Sequence, residues 1–234
     1  MKHYLFCVAV SVFLFTPSLF AASDDDRDGG NPQAIPFVFV GNAAECGGVA
    51  GSRIVTSEWL SGMGLPDDSS SNVPAGSRDP HFGLLLSKNG STPNCAAAGA
   101  RITGVKKTTI TELGFDYRNG GHCGAGAPRF NLVTEDGVLH FIGGCANGTK
   151  SPAPQDPLEW TRVRLDTSNP AQAFPPVAPG AKIKSLTIIY DEGTDTPTTE
   201  DPRGVGLAVI DNIDINGQLI TRGPGGENSE HQKD

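Results

Sequence analysis

The stretch Phe130-Asn131-Leu132-Val133-Thr134-Glu135-Asp136-Gly137-Val138-Leu139-His140-Phe141-Ile142 decides the fold class. Two runs rich in large apolar and β-branched residues flank Glu135-Asp136-Gly137, a short loop whose glycine accepts positive φ. That arrangement is a β-hairpin signal. Cys123 and Cys145 stand at the open ends of this hairpin. Paired cysteines that bracket a hairpin read as an exported, oxidised, β-rich chain.

Outward from the hairpin, the same short strand-like runs recur. They are Phe37–Val40, Ile54–Val55 ahead of Trp59, Phe82–Leu86, Thr108–Thr111, Leu113–Tyr117, Trp160–Leu165, Ile183–Tyr190 and Leu207–Ile215. Asn89-Gly90 and Asn216-Gly217 mark turns, residues 61–80 read as a long loop, and 168–180 as a Pro-rich connection. Residues 191–204 form an acidic loop, and Ala96–Ala100 reads as ambiguous, close to a helical turn. The chain's 30 Gly and 18 Pro favour turns over helices, and no convincing amphipathic helix pattern occurs. The expectation is an all-β antiparallel sandwich of jelly-roll topology, a single domain over residues 35–221.

The ends read differently. Lys2, the apolar run Leu5–Phe15 and Ala21-Ala22-Ser23 have the order of a secretory signal peptide over residues 1–23. The run is shorter than the ~20 residues a membrane-spanning helix needs. Removing it leaves roughly 210 residues, enough for one sandwich with a proper core. Residues 24–34 read as a flexible acidic leader and 222–234 as a disordered tail. The leader's Asp24, Asp26 and Asp28 begin like a calcium loop, but its twelfth position is Ile35 where a glutamate is required. With 18 Lys+Arg against 26 Asp+Glu, net charge −8, the chain lacks the basic surface of nucleic-acid binders and has no attraction to anionic membranes. The expected location is secreted or periplasmic.

Four cysteines follow the signal segment, and three pairings are open. Cys123–Cys145 is favoured because the two flank one hairpin, which leaves Cys46–Cys95. A zinc site is disfavoured by the absence of CxxC pairs and finger-spaced histidines.

Strand alternation sorts the side chains into faces. Phe130 and Leu132 fall opposite Arg129 and Asn131. Val163 and Leu165 fall opposite Trp160, Arg162 and Arg164. Leu139 and Phe141 fall opposite His140, and Phe115 and Tyr117 opposite Asp116 and Arg118. The apolar sets are expected to form the core. If the strands share a sheet, Arg118, Arg129, Asn131, His140, Trp160, Arg162 and Arg164 form an outer face suited to a glycan. Trp would be a platform for a sugar ring, with Arg and Asn as directional hydrogen-bond donors, and an acidic polysaccharide would suit it equally.

Catalytic signals are sparser. No GxSxG elbow, HExxH helix or phosphate-binding glycine loop occurs. His122, Tyr117 and Arg118 would serve a polyuronate lyase if they met, and Glu112, Asp116 and Glu159 are carboxylates suited by location to glycoside hydrolysis. Asp191, Asp195 and Asp211 would surround a structural Ca²⁺ if the acidic loop folds beside the last strand.

The ordered motifs Gly114-Phe115-Asp116-Tyr117-Arg118, His122–Asn131, Gly143-Gly144-Cys145, Trp160–Arg164, Tyr190–Asp195 and Ile210–Gly217 resemble a group of exported β-sandwich proteins of soil and environmental bacteria. The resemblance runs over roughly residues 35–220, and that group brings no activity to transfer. The closing Asp211-Asn212-Ile213-Asp214-Ile215-Asn216-Gly217 is similar to the end of galactose-binding-like jelly rolls and carbohydrate-binding modules, which implies fold more than ligand. The first reading is therefore a secreted, non-catalytic binding module for carbohydrate or another cell-surface ligand. The alternatives are a polysaccharide-degrading enzyme and a structural envelope or matrix protein.

Overall fold

The structure is a computed structural model that describes residues 31–65, 81–221 and 223. The expected signal peptide, residues 24–30 of the leader, most of the loop 61–80 and nearly all of the tail lie outside the described residues.

The strands are β1 (Gln33–Val40), β2 (Val55–Ser61), β3 (Phe82–Lys88), β4 (Ala96–Thr103), β5 (Glu112–Arg118), β6 (Arg129–Thr134) and β7 (Leu139–Gly143). They continue with β8 (Thr149–Pro152), β9 (Trp160–Asp166), β10 (Ala173–Phe174), β11 (Ile183–Tyr190), β12 (Leu207–Ile215) and β13 (Gln218–Ile220). One sheet has the order β1-β4-β11-β6-β7-β10. The other has the order β2-β3-β12-β5-β9-β8, with β13 beside β12. All pairings are antiparallel. The chain changes sheet at β1→β2, β3→β4, β4→β5, β5→β6, β7→β8, β9→β10 and β11→β12. The four-strand blocks β3-β12-β5-β9 and β4-β11-β6-β7 interleave in this way as the two sheets of a jelly roll.

The expected hairpin forms as β6–β7. Its register runs from Arg129↔Gly143 to Val133↔Leu139, and Gly137 at φ +86° closes the loop. A three-residue loop with glycine in the left-handed region is a common solution for joining twisted strands. Two expectations change. Ala96–Ala100 is strand and not a helical turn: β4 lies between β1 and β11. The local helix preference of alanine yields to sheet neighbours on both sides. Thr108–Thr111 is irregular chain ending in a bend at Thr111, not strand. The first strand starts at Gln33, and Ala34 is already buried, so the domain begins slightly before residue 35.

Phe115, Phe130, Leu132, Val163, Leu165, Leu186, Ile188, Tyr190 and Ile210 fill the space between the sheets. A buried side chain of this size contributes roughly 1.5–3 kcal/mol. Both favoured disulfides are present, Cys46–Cys95 and Cys123–Cys145. They suit an oxidising, extracellular-type environment. Among the described residues no helix is long and apolar enough to cross a membrane.

Candidate functional site

The Arg/Trp set expected on one face is divided between two. Arg129 and Asn131 lie on β6 and His140 on β7, in the six-stranded sheet. Arg118 lies on β5 and Trp160, Arg162 and Arg164 on β9, in the seven-stranded sheet. Two of the set are not on a surface at all. Trp160 is buried with Leu65, Ala153 and Val209 and is no open platform. His140 is 5% exposed, with Nδ1 2.7 Å from the Pro175 carbonyl and Nε2 3.4 Å from the Thr134 hydroxyl. The hairpin register explains the second error. Directly opposed residues share a face. Phe130 and Leu132 point inward, so their partners Ile142 and His140 do too. Leu139 and Phe141 are thereby turned outward, the reverse of what polarity alone suggests.

The outer face of the seven-stranded sheet is a network of paired charges. Asp116, fully buried, receives Arg162 Nε at 2.9 Å and Nη2 at 3.0 Å, and Asn212 Nδ2 at 2.9 Å. Arg164 reaches Asp214 at 2.9 Å across the space left by Gly114, where a Cβ would lie 2.7 Å from Arg164 Cδ. Asp211 accepts from the backbone N–H of Leu65 at 2.8 Å and of Asn212 at 2.6 Å. Of the carboxylates considered for hydrolysis, Asp116 is committed to this network. Glu112 lies at its rim, 4.0 Å from Arg164, and Glu159 is exposed beyond the start of β9. Arg118 is exposed at the end of β5.

The outer face of the six-stranded sheet is built otherwise. The registers align Ile35, Arg101, Thr187, Asn131, Phe141 and Phe174 in one row across all six strands. A second row holds Phe37, Gly99, Ile189, Arg129 and Gly143. At ~4.8 Å per strand the first row spans about 24 Å. Phe174 is 75% exposed beside Phe141, and Arg129 stands 5.5 Å from the Phe141 ring centroid. Phe37 lies over Gly99, where a Cβ would come 2.8 Å from the ring. Arg129 is held by Asp191 through two contacts, 2.6 and 2.8 Å, and by its own bond to Asn131 at 3.1 Å. Sequence reading missed Phe141, Phe174, Phe37 and Arg101. Phe174 sits in a Pro-rich connection whose two-residue strand is too short to show a period.

At one end of the sandwich His122 is fully buried. Its Nε2 lies 2.7 Å from Glu192 Oε2, its Nδ1 has no hydrogen bond and lies 4.0 Å from Asp201, and its ring meets Tyr190 edge-on at 5.5 Å. Glu192 also accepts from the backbone N–H groups of Gly126 and Ala127. It thus ties the disulfide-braced glycine loop to the end of β11. Burial pushes the Tyr190 hydroxyl far above its ordinary pKa, with Glu192, Asp201 and Asp191 acting in the same direction. The expected lyase trio is not assembled: Tyr117 lies under Lys150, 5.7 Å from its ring centroid, and His122 is given to Glu192 and Tyr190 instead. Burial raises the Tyr117 pKa, and Lys150 opposes the shift.

Nor do the three aspartates expected around calcium meet. Asp191 pairs with Arg129, Asp195 accepts from Thr92 N and Oγ1, and Asp211 lies in the other sheet's charge network. Among the described residues no group of three or more His, Cys, Asp or Glu is placed to hold a metal. The acidic loop carries a cation of a different kind. Lys88 is 1% exposed, and its Nζ donates to the carbonyls of Thr92, Asn94 and Asp191 at 2.8, 2.7 and 2.9 Å. Burial lowers its pKa, and Asp191 and Asp195 partly restore it. The leader's calcium-like aspartates lie outside the described residues.

Comparison with protein-family models, with curated proteins and with solved structures returned no match.

Proposed function

We propose that this chain is a secreted or periplasmic, non-catalytic module that binds a carbohydrate or similar cell-surface ligand on the outer face of its six-stranded sheet. The observation that carries this reading is the row Ile35–Arg101–Thr187–Asn131–Phe141–Phe174. Aromatic rings offer apolar platforms for the faces of sugar rings, and arginine, asparagine and threonine supply directional hydrogen bonds between them. Phe141 and Phe174 take the role that polarity patterns assign to Trp160. The bound chain lies across the strands, along the row. Export is supported by the signal-like N-terminus and the two disulfides.

The test is a glycan-array screen of the oxidised, exported protein, with calcium and with chelator, repeated on the Phe141→Ala/Phe174→Ala double variant. A selective hit that the double variant loses, with its thermal unfolding unchanged, is expected. A blank array, or a hit that the double variant keeps, overturns the reading.

A further inference from the structure

Arg101 differs from the other described arginines on the two outer sheet faces: Arg118 stands exposed to solvent at the end of β5, and the rest are paired. Arg129 is paired with Asp191, Arg162 with Asp116, and Arg164 with Asp214. Arg101, at the middle of β4, has no ion pair or hydrogen bond to any of the described residues, and its Nε is withdrawn from water without an acceptor. Its direct neighbours across the sheet are Ile35 and Thr187, and Phe37 covers the adjacent Gly99. In an acidic chain, none of the described carboxylates is paired with this guanidinium.

An arginine with a donor already removed from water has met part of its desolvation cost before any ligand arrives. Arriving beside an apolar flank, a carboxylate interacts with it more strongly than in bulk water. The planar fork of the guanidinium matches the two oxygens of a carboxylate.

Resting on the glycan-binding reading above, we propose that Arg101 is the anion-reading residue of this face and that the ligand is a linear uronate-containing polysaccharide. Its carboxylate pairs with Arg101 while the flanking sugar rings rest toward Phe37 on one side and Phe141 and Phe174 on the other. The charge pair makes the difference between an acidic and a neutral chain, and the aromatic rings serve both.

The experiment compares two probes by calorimetry at low salt: an oligogalacturonate of about six sugars, and the same oligomer with its carboxyls reduced to alcohols. Wild type is expected to bind the acidic oligomer at least tenfold more tightly. Arg101→Gln is expected to lose that preference and to unfold at the wild-type temperature. Phe174→Ala is expected to weaken both probes, and raising salt to 0.5 M to narrow the gap. Equal binding of both oligomers by wild type, or an undiminished preference in Arg101→Gln, overturns the role of Arg101. If the aromatic double variant still loses both probes, the face itself stands. Binding of neither oligomer overturns the uronate assignment, and the array result then decides the face separately. Tighter binding of a sulfated chain of equal length also overturns the carboxylate assignment.

Discussion

The two outer faces of the sandwich use the same kinds of residue for different ends. On the seven-stranded sheet both arginines of β9 find a carboxylate within the chain: Arg162 on Asp116 and Arg164 on Asp214, with Trp160 buried beside them. On the six-stranded sheet the aromatic residues are left partly open, and Arg101 has no carboxylate among the described residues. Residue type therefore does not separate a structural face from a binding face. What separates them is whether the chain itself satisfies the polar groups it places there. A face whose charges are paired internally has little left to offer a ligand.

The comparison can be broken at its strongest point first. Arg162→Ala leaves the fully buried Asp116 carboxylate without its two-pronged partner, and urea unfolding should show a loss of about 3 kcal/mol or more. Trp160→Ala opens a void among Leu65, Ala153 and Val209 and should cost about 3 kcal/mol. Any glycan affinity of the folded fraction should be unaltered, since Trp160 faces no ligand. Arg101→Ala, measured in the same urea series, should change stability by no more than about 0.5 kcal/mol. A loss matching that of Arg162→Ala would erase the distinction between the faces.

The smallest effect concerns the hairpin tip that sets the register of Phe141. The Thr134 hydroxyl and then the Val138 N–H hold the Asp136 carboxyl below its ordinary pKa. A depressed carboxyl contributes stability that is present above its unfolded value, about 3.8, and is lost as pH falls through the folded value. Asp136→Asn should therefore be slightly less stable than wild type at pH 7, and the two should converge on acidification below about pH 4. Stability curves that stay parallel throughout would remove this role.

Much of the fold was legible in the sequence because its evidence is local. The Glu135-Asp136-Gly137 loop, the alternation of Phe130 with Asn131 and of Val163 with Arg164, and the placing of Cys123 and Cys145 around one hairpin all involve near neighbours. The site was less legible because it depends on register and on strand order. His140 looks outward by polarity, yet its pairing with Leu132 turns it in and Phe141 out. Arg129 and Arg162 look like partners on one face until the topology puts β6 and β9 in different sheets. Trp160 reads as exposed until Leu65 and Val209, distant in sequence, close over it. The alanine run of β4 gives no strand signal of its own, because sheet neighbours on both sides decide its conformation.

Lys88 has a consequence for the medium in which this fold can operate. Its ammonium gathers three backbone oxygens from Thr92, Asn94 and Asp191, and so adds to the direct hydrogen bonds between the two loops, such as Thr92 to Asp195 and Gly193 to Thr92. A counter-ion carried on a side chain cannot be diluted away or captured by a competing chelator, and it is at full occupancy from the moment the chain closes around it. This end of the roll is joined by a charge that the gene encodes and that the surroundings need not supply.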